Sequence, residues 1–225
     1  MTGKQKKPHR QPKPPDIPDD PDSVSIPGDA VQSHERYEYV ALSQSDLSWQ
    51  EAGYARFESG IFAQVSLNDT HFRGLTLIDT RLDGCDMANA DWRQCEFTRV
   101  ELLGCRMHGF MAGESRLQDV LFKGCKGKFA FFRSANLKWV RFEKCDLTEA
   151  DFHGADLSGV VFAGCDLTGC DMKEAKLSGV DLRGSLVDEM RIGLEELQGM
   201  TVDAVQAATF MRLLGVTVKE ESDGE

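Results

Sequence analysis

Residues 150–159 read ADFHGADLSG, one five-residue pattern written twice: small, polar, large apolar, polar, then small or polar. Working outward from this stretch, every fifth residue from Leu42 to Leu182 is Leu, Phe, Met or Trp at 26 of 29 positions; Ala52, Ala112 and Gly127 are the exceptions. Two residues earlier, every fifth from Val40 to Val180 is Ala, Cys, Val, Ser, Thr or Gly at 26 of 29, with Gln50, Leu75 and Phe110 breaking the rule. A helix would repeat near 3.6 and a half-buried strand every second residue. A period of five fits neither. It is satisfied when each five-residue unit forms one side of a square coil, with the large and small residues inward and the other three facing water. Four sides then make a turn of 20 residues.

Residues 20 apart should therefore stack on the same side and resemble each other most. One side carries Val100, Val120, Val140, Val160 and Val180 at its small inward position, and the next carries Cys85, Cys105, Cys125, Cys145 and Cys165. A third has Ala90, Ala130 and Ala150, and the fourth Ala135, Ala155 and Ala175. Four ladders of distinct character argue for a four-sided coil whose turns bury their apolar residues only against neighbouring turns. Over roughly residues 40–185 this arrangement resembles the pentapeptide-repeat family, often written A(D/N)LXX. That resemblance implies an all-β fold, a right-handed quadrilateral β-helix of 20 residues per coil.

The domain plan expected is a Pro-rich charged tail over residues 1–36, the coil over 37–190, a helical cap and dimerisation segment over 191–216, and an acidic tail over 217–225. All seven prolines lie between Pro8 and Pro27. With few aromatics, the first segment cannot bury enough apolar area to offset its ordering entropy, so it is expected to be disordered. Lys4, Lys6, Lys7, Arg10 and Lys13 come first, then Asp16, Asp19, Asp20, Asp22 and Asp29. Such a segment is either solvated or an electrostatic tether. The N-terminus lacks the apolar stretch of a signal peptide, and no apolar run approaches the roughly 20 residues that cross a bilayer. A cytoplasmic location and no membrane partner are expected.

No catalytic constellation emerges, and no cofactor or metal is expected. Cys85, Cys95, Cys105, Cys125, Cys145, Cys165 and Cys170 all occupy the small inward register, where a free thiol behaves as a small hydrophobe. His34, His71, His108 and His153 are scattered, those within the coil at outward positions. The recurring Asp before the large residue (Asp46, Asp86, Asp146, Asp151, Asp156, Asp166, Asp171, Asp181) is the second residue of the repeat, suited to capping backbone amides at a turn.

Residues 123–144 depart from the pattern, with seven cations against the single acid Glu143. Phe129, Phe131 and Trp139 stand at registers that should face water, and Gly127 replaces a large core residue. Exposed aromatics beside basic groups point to a partner-binding belt of Lys126, Lys128, Phe129, Arg133, Lys138, Trp139 and Arg141. The alternative is an irregular turn, bulged at Gly127, that folds Phe129 or Phe131 inward.

After Leu182 the repeat fades, and residues 203–214 read as a helix capped by Asp203, with Gln206 three residues on and Gly215 at the end. Val205, Ala208, Phe210, Met211, Leu213 and Leu214 leave little of its circumference polar, so it needs more than one surface to bury against. One is the open edge of the last coil; the other is a second copy, giving a homodimer. Capping alone is the other reading. The segment 180–218 also resembles the ends of the quinolone-resistance pentapeptide proteins. Those proteins dimerise and bind DNA gyrase as duplex mimics, so the resemblance implies a topoisomerase partner.

The formal net charge of −11 argues against direct nucleic-acid binding. It is unevenly spread: residues 40–184 carry 21 acids against 17 bases, and residues 185–225 carry 9 against 3. Mimicry of a duplex would have to use the joined C-terminal ends. The function expected is a non-catalytic protein-interaction scaffold, with gyrase as its sharpest version. The rival is an adaptor that holds its partner through residues 123–144 or the N-terminal tail.

Overall fold

A computed structural model describes residues 9–18, 26 and 30–219. Its strands are β1 (Arg36–Glu38), β2 (Ala41–Ser43), β3 (Arg56–Glu58), β4 (Ile61–Ala63), β5 (Thr76–Asp83), β6 (Glu96–Leu103), β7 (Arg116–Lys123), β8 (Asn136–Glu143) and β9 (Val161–Ala163), followed by one helix, α1 (Ala204–Leu213). Every pairing is parallel and every register step is twenty residues: Thr76 faces Glu96, Glu96 faces Arg116, and Arg116 faces Asn136. Isolated parallel bridges continue that step on the other sides and as far as Asp181 with Thr201. The four-sided coil expected from the period is the observed architecture.

The corners have a simple backbone cause. Every fifth residue from Tyr39 to Glu189 has a positive φ, in the left-handed region, and this turns the chain from one side to the next. An L-residue there costs roughly 1–2 kcal/mol, which Gly escapes, and glycines fill many of these corners. At Gly74, with φ +71°, a Cβ would also meet the Tyr54 ring at 2.6 Å, so space and conformation both call for glycine. The repeat's second residue braces each turn. The Oδ1 atoms of Asp46, Asp86, Asp146, Asp151, Asp156, Asp166, Asp171 and Asp181 each accept from the backbone N–H two residues on.

Inside, residues of the large register stack in columns. Phe122, Phe142 and Phe162 lie ring over ring, with centroids 4.6 and 5.0 Å apart, and Phe132 stacks on Phe152 at 5.2 Å. The two columns meet edge to face, as Phe142 does with Phe132 and Phe152. The exceptions to the pattern compensate one another. Ala112 stands in the column between Trp92 and Phe132, and Phe110, in the small register, turns its ring toward both, at 5.5 and 6.3 Å. Gly127 makes no bulge: it is buried, its N–H reaches Asp146 O, and Ala130 N–H returns to Gly127 O. Phe129 and Phe131 accordingly do not fold into the core. Past Leu182 the inward register persists at Val187 and Ile192 and, less completely, at Leu197 and Val202.

All seven cysteines are free and buried. Burial pushes the Cys95 and Cys170 thiols up to about 12. Sγ of Cys85, Cys105, Cys125 and Cys145 each points at a backbone carbonyl of the preceding coil, at 3.3–3.5 Å.

Candidate binding surfaces

The charged surface is largely self-paired between neighbouring coils. Arg106 bonds Asp86, Arg116 bonds Glu96, Arg81 bonds Glu101, Lys176 bonds Asp156 and Arg191 bonds Asp171. The belt over 123–144 shares this habit. Lys128 pairs with Glu149 at 3.5 Å and Arg133 with Asp151 at 2.8 Å on the next coil, and Arg141 with Glu143 at 2.5 Å on its own. Lys126 is exposed on the bridge to Asp146. Phe129 is an exposed corner residue with Lys128 over its ring and His108 at its edge. Phe131 is half-buried beneath Arg133. Trp139 is another corner, and Lys138 lies 4.2 Å from its ring centroid. The structure therefore spreads these residues around the coil and does not gather them on one face.

Trp139 belongs to a different assembly. The corners one coil apart on its column are Asp79, Arg99, Asp119 and Trp139, and across them lies the N-terminal segment 9–18. The Arg10 guanidinium sits 3.8 Å from the Trp139 ring centroid and donates to Asp119 Oδ1 at 2.9 Å. Lys13 N–H donates to the same Oδ1 at 2.9 Å, and Asp16 N–H to Asp79 Oδ1 at 2.9 Å. Arg99 holds Asp79 with both arms of its guanidinium. Burial opposes the charge on Asp79, and the Arg99 fork and the Asp16 N–H overcome it, so its pKa lies below the ordinary carboxylate value. At the far end His9 approaches Asp181 at 3.8 Å. The expected solvated tail thus gives way over residues 9–18 to a seated strap. The reason is that its polar groups meet two aspartates that the corners hold close to the surface wall. The remainder of that expectation, 1–8, 19–25 and 27–29, lies outside the described residues.

At the other end α1 seals the coil. Asp203 caps it: its Oδ1 accepts Gln206 N–H, and Gln206 Oε1 accepts Asp203 N–H, both at 3.0 Å. Gln206 is only 3% exposed because its amide does more than cap. Nε2 donates to Leu182 O at 2.5 Å and Ser185 O at 2.7 Å, joining the helix to the last coil. One turn on, Phe210 is buried in the core, so it closes the coil and is not free to meet a second copy, as the sequence had suggested. Val205, Met211 and Leu213 remain exposed, and Ala208 and Leu214 half-buried. Of the acidic end, residues 220–225 lie outside the described residues; Asp188, Glu189 and Glu195 are exposed beside the cap.

Among the described residues no three His, Cys, Asp or Glu side chains converge as a metal site, and no helix is long and apolar enough to cross a membrane. His34 stacks on Tyr54, and His153 lies 3.4 Å from Glu174.

No curated protein matches the chain. Among solved structures, it is similar to a trypsin-treated form of QnrB1, a plasmid-mediated fluoroquinolone resistance protein. That match has 22% identity, covers 81% of this chain and 99% of that one, and has a TM-score of 0.38. HetL, a pentapeptide repeat protein involved in heterocyst differentiation regulation from the cyanobacterium Nostoc, is 17% identical over 75% of this chain and 89% of its own, with a TM-score of 0.29. The family model "Pentapeptide repeat region" matches residues 95–169 and 135–208, and "Pentapeptide repeats (8 copies)" matches 53–87 and 77–110. With these matches spanning more than half of the sequence, the chain belongs to the pentapeptide-repeat family.

Proposed function

We propose that this protein is a non-catalytic interaction scaffold that pairs with a second copy through its C-terminal end. The observation that carries the reading is where apolar side chains meet water. Six of the ten exposed large apolar side chains among the described residues lie at the C-terminal end, where Val205 is 78% exposed, Leu194 72% and Leu186 56%, joined by Met211, Leu213 and Val216; the others are Tyr39, Trp49 and Tyr54 on the first coils and Phe129 at a mid-coil corner. Exposed apolar groups concentrated at one end of a soluble surface mark an association site, and two copies meeting there form a closed two-fold pair. Static light scattering tests it. A dimer mass at micromolar concentration is expected, reverting to a monomer in Val205→Glu/Leu213→Glu; a monomeric mass for the unaltered chain would overturn the pairing.

The partner reading of sharpest content is a topoisomerase, with DNA gyrase as the test case. Its support is the exposed acidic group Asp188, Glu189 and Glu195 beside the apolar end, which pairing would double into one negative surface. Inhibition of gyrase supercoiling at low salt is expected, lost on Asp188→Lys/Glu189→Lys/Glu195→Lys. No inhibition by the unaltered chain removes gyrase and leaves the dimeric scaffold standing.

A further inference from the structure

We propose that the corner column Asp79–Arg99–Asp119–Trp139 is a recognition site for a basic, proline-rich segment in the polyproline II conformation, filled in cis by residues 9–18 and open to a partner's segment of the same chemistry. This rests on the strap's geometry and not on the pairing of the C-terminal ends.

The match is one of periods. Polyproline II has three residues per turn and rises about 3.1 Å per residue, so three residues advance about 9.3 Å. Parallel coils stack about 4.8 Å apart, so two coils advance about 9.6 Å. Residues three apart on the segment therefore meet corners forty apart on the coil. The two backbone contacts show that pairing, Lys13 N–H on Asp119 and Asp16 N–H on Asp79, while the long side chain of Arg10, three residues earlier, lies between Asp119 and Trp139, one coil on. Arg99, on the coil between, locks the Asp79 carboxylate in place with both arms of its guanidinium and feels the charge of Asp16 on the strap.

Proline placement agrees with the donors used. Pro12, Pro14, Pro15 and Pro18 have no N–H to give, and the two backbone donors spent on the column, at residues 13 and 16, fall between them. Prolines also limit the conformations lost on docking, which makes such a segment an efficient ligand. The column supplies the other half. Asp119 is 3% exposed, and both hydrogen bonds to its carboxylate come from the strap, so the site is built around a ligand that brings one cation and one N–H to that position. Trp139 adds a flat face for the guanidinium, a contact that favours Arg over Lys. The ligand class is thus a segment with Arg at one position and free N–H groups three and six residues later, with proline among the residues between.

The experiment uses the full-length chain with its own strap disabled by Arg10→Glu/Lys13→Pro/Asp16→Pro. These changes remove the guanidinium and both donors and leave the coil untouched. A fluorescently labelled peptide of residues 9–18 is titrated and followed by anisotropy. It should bind this chain at least tenfold more tightly than the unaltered chain, whose site is occupied. Adding Asp119→Asn, or separately Trp139→Ala, should weaken binding at least tenfold, with an unchanged far-ultraviolet circular dichroism spectrum as the check on folding. A peptide carrying Arg10→Glu should not bind. Equal binding with and without Asp119→Asn and Trp139→Ala, or no saturable binding to the strap-disabled chain, would overturn the proposal.

Discussion

Replacing Gln206 by Met tests whether α1 is a structural lid or an ornament on a coil that would end as well without it. Met keeps the volume, so no cavity term enters; what changes is hydrogen bonding in a place that is 3% exposed. Leu182 O retains its bond from Ser185 N–H. Ser185 O loses Nε2, and Asp203 N–H loses Oε1. Ser185 is buried and Asp203 half-buried; a buried group left without a partner costs about 1–3 kcal/mol, and the lower half of that range is apt for each because both lie near the end of the rod. A loss of about 2–4 kcal/mol is expected. In a solenoid each turn contacts only its neighbours, so the loss should stay local, opening the helix and the last coil before the rest. With about 1.4 kcal/mol per tenfold, amide hydrogen exchange over residues 180–214 should accelerate roughly 30- to 1,000-fold, while the amides of β5 to β8 keep their rates. Acceleration spread evenly along the coil, or none anywhere, would refute the reasoning.

Two further outcomes follow from the core. Phe110→Ala should open the space beside Ala112 and cost about 3–5 kcal/mol, and the exchanged pair Phe110→Ala/Ala112→Phe, which restores the regular pattern, should recover more than half of it; chemical denaturation of the three variants gives the comparison, and an additive double variant would contradict the compensation. The seven thiols should resist alkylation at pH 8 in the native chain and all react once it is unfolded, since they are buried and Cys95 and Cys170 are pushed up to about 12; rapid labelling of the folded protein would show that the coil opens more readily than its packing implies.

The coil was legible in the sequence because its geometry is a local rule repeated: which residue points inward depends on position within five, and which residues stack depends on position within twenty. The cap was legible for a similar reason, since Asp203 and Gln206 carry a capping pattern in four residues. What resisted reading was everything set by contacts between distant parts. Phe110 and Ala112 each appear as an error in the pattern, and only their shared neighbours Trp92 and Phe132 show them to be one correction. Phe210 reads in the sequence as one more residue on the apolar face of a helix, because a pattern of apolar residues does not say which of them the coil end will claim. The strap at Arg10, Lys13 and Asp16 bonds residues more than sixty positions away. Its signal was present, a spacing of three in the tail against forty at Asp79 and Asp119. A period of five, however, makes every corner residue water-facing. With the strap seated, Asp79 and Asp119 are the buried ones among the corner residues that carry a side chain.

The fixed corners also decide how such a chain can change length. Removing five residues, for instance 151–155, leaves every unit intact yet rotates all that follows by one side. Phe162 would then lie on Leu137 instead of Phe142, and Cys165 on Val140. Removing twenty, 151–170, sets Met172 over Phe132 and Ser185 next to Cys145, in the columns they already occupy. A rod of this kind gains or loses height in whole storeys, and a gene that encodes it is tolerant of duplication only in multiples of sixty bases.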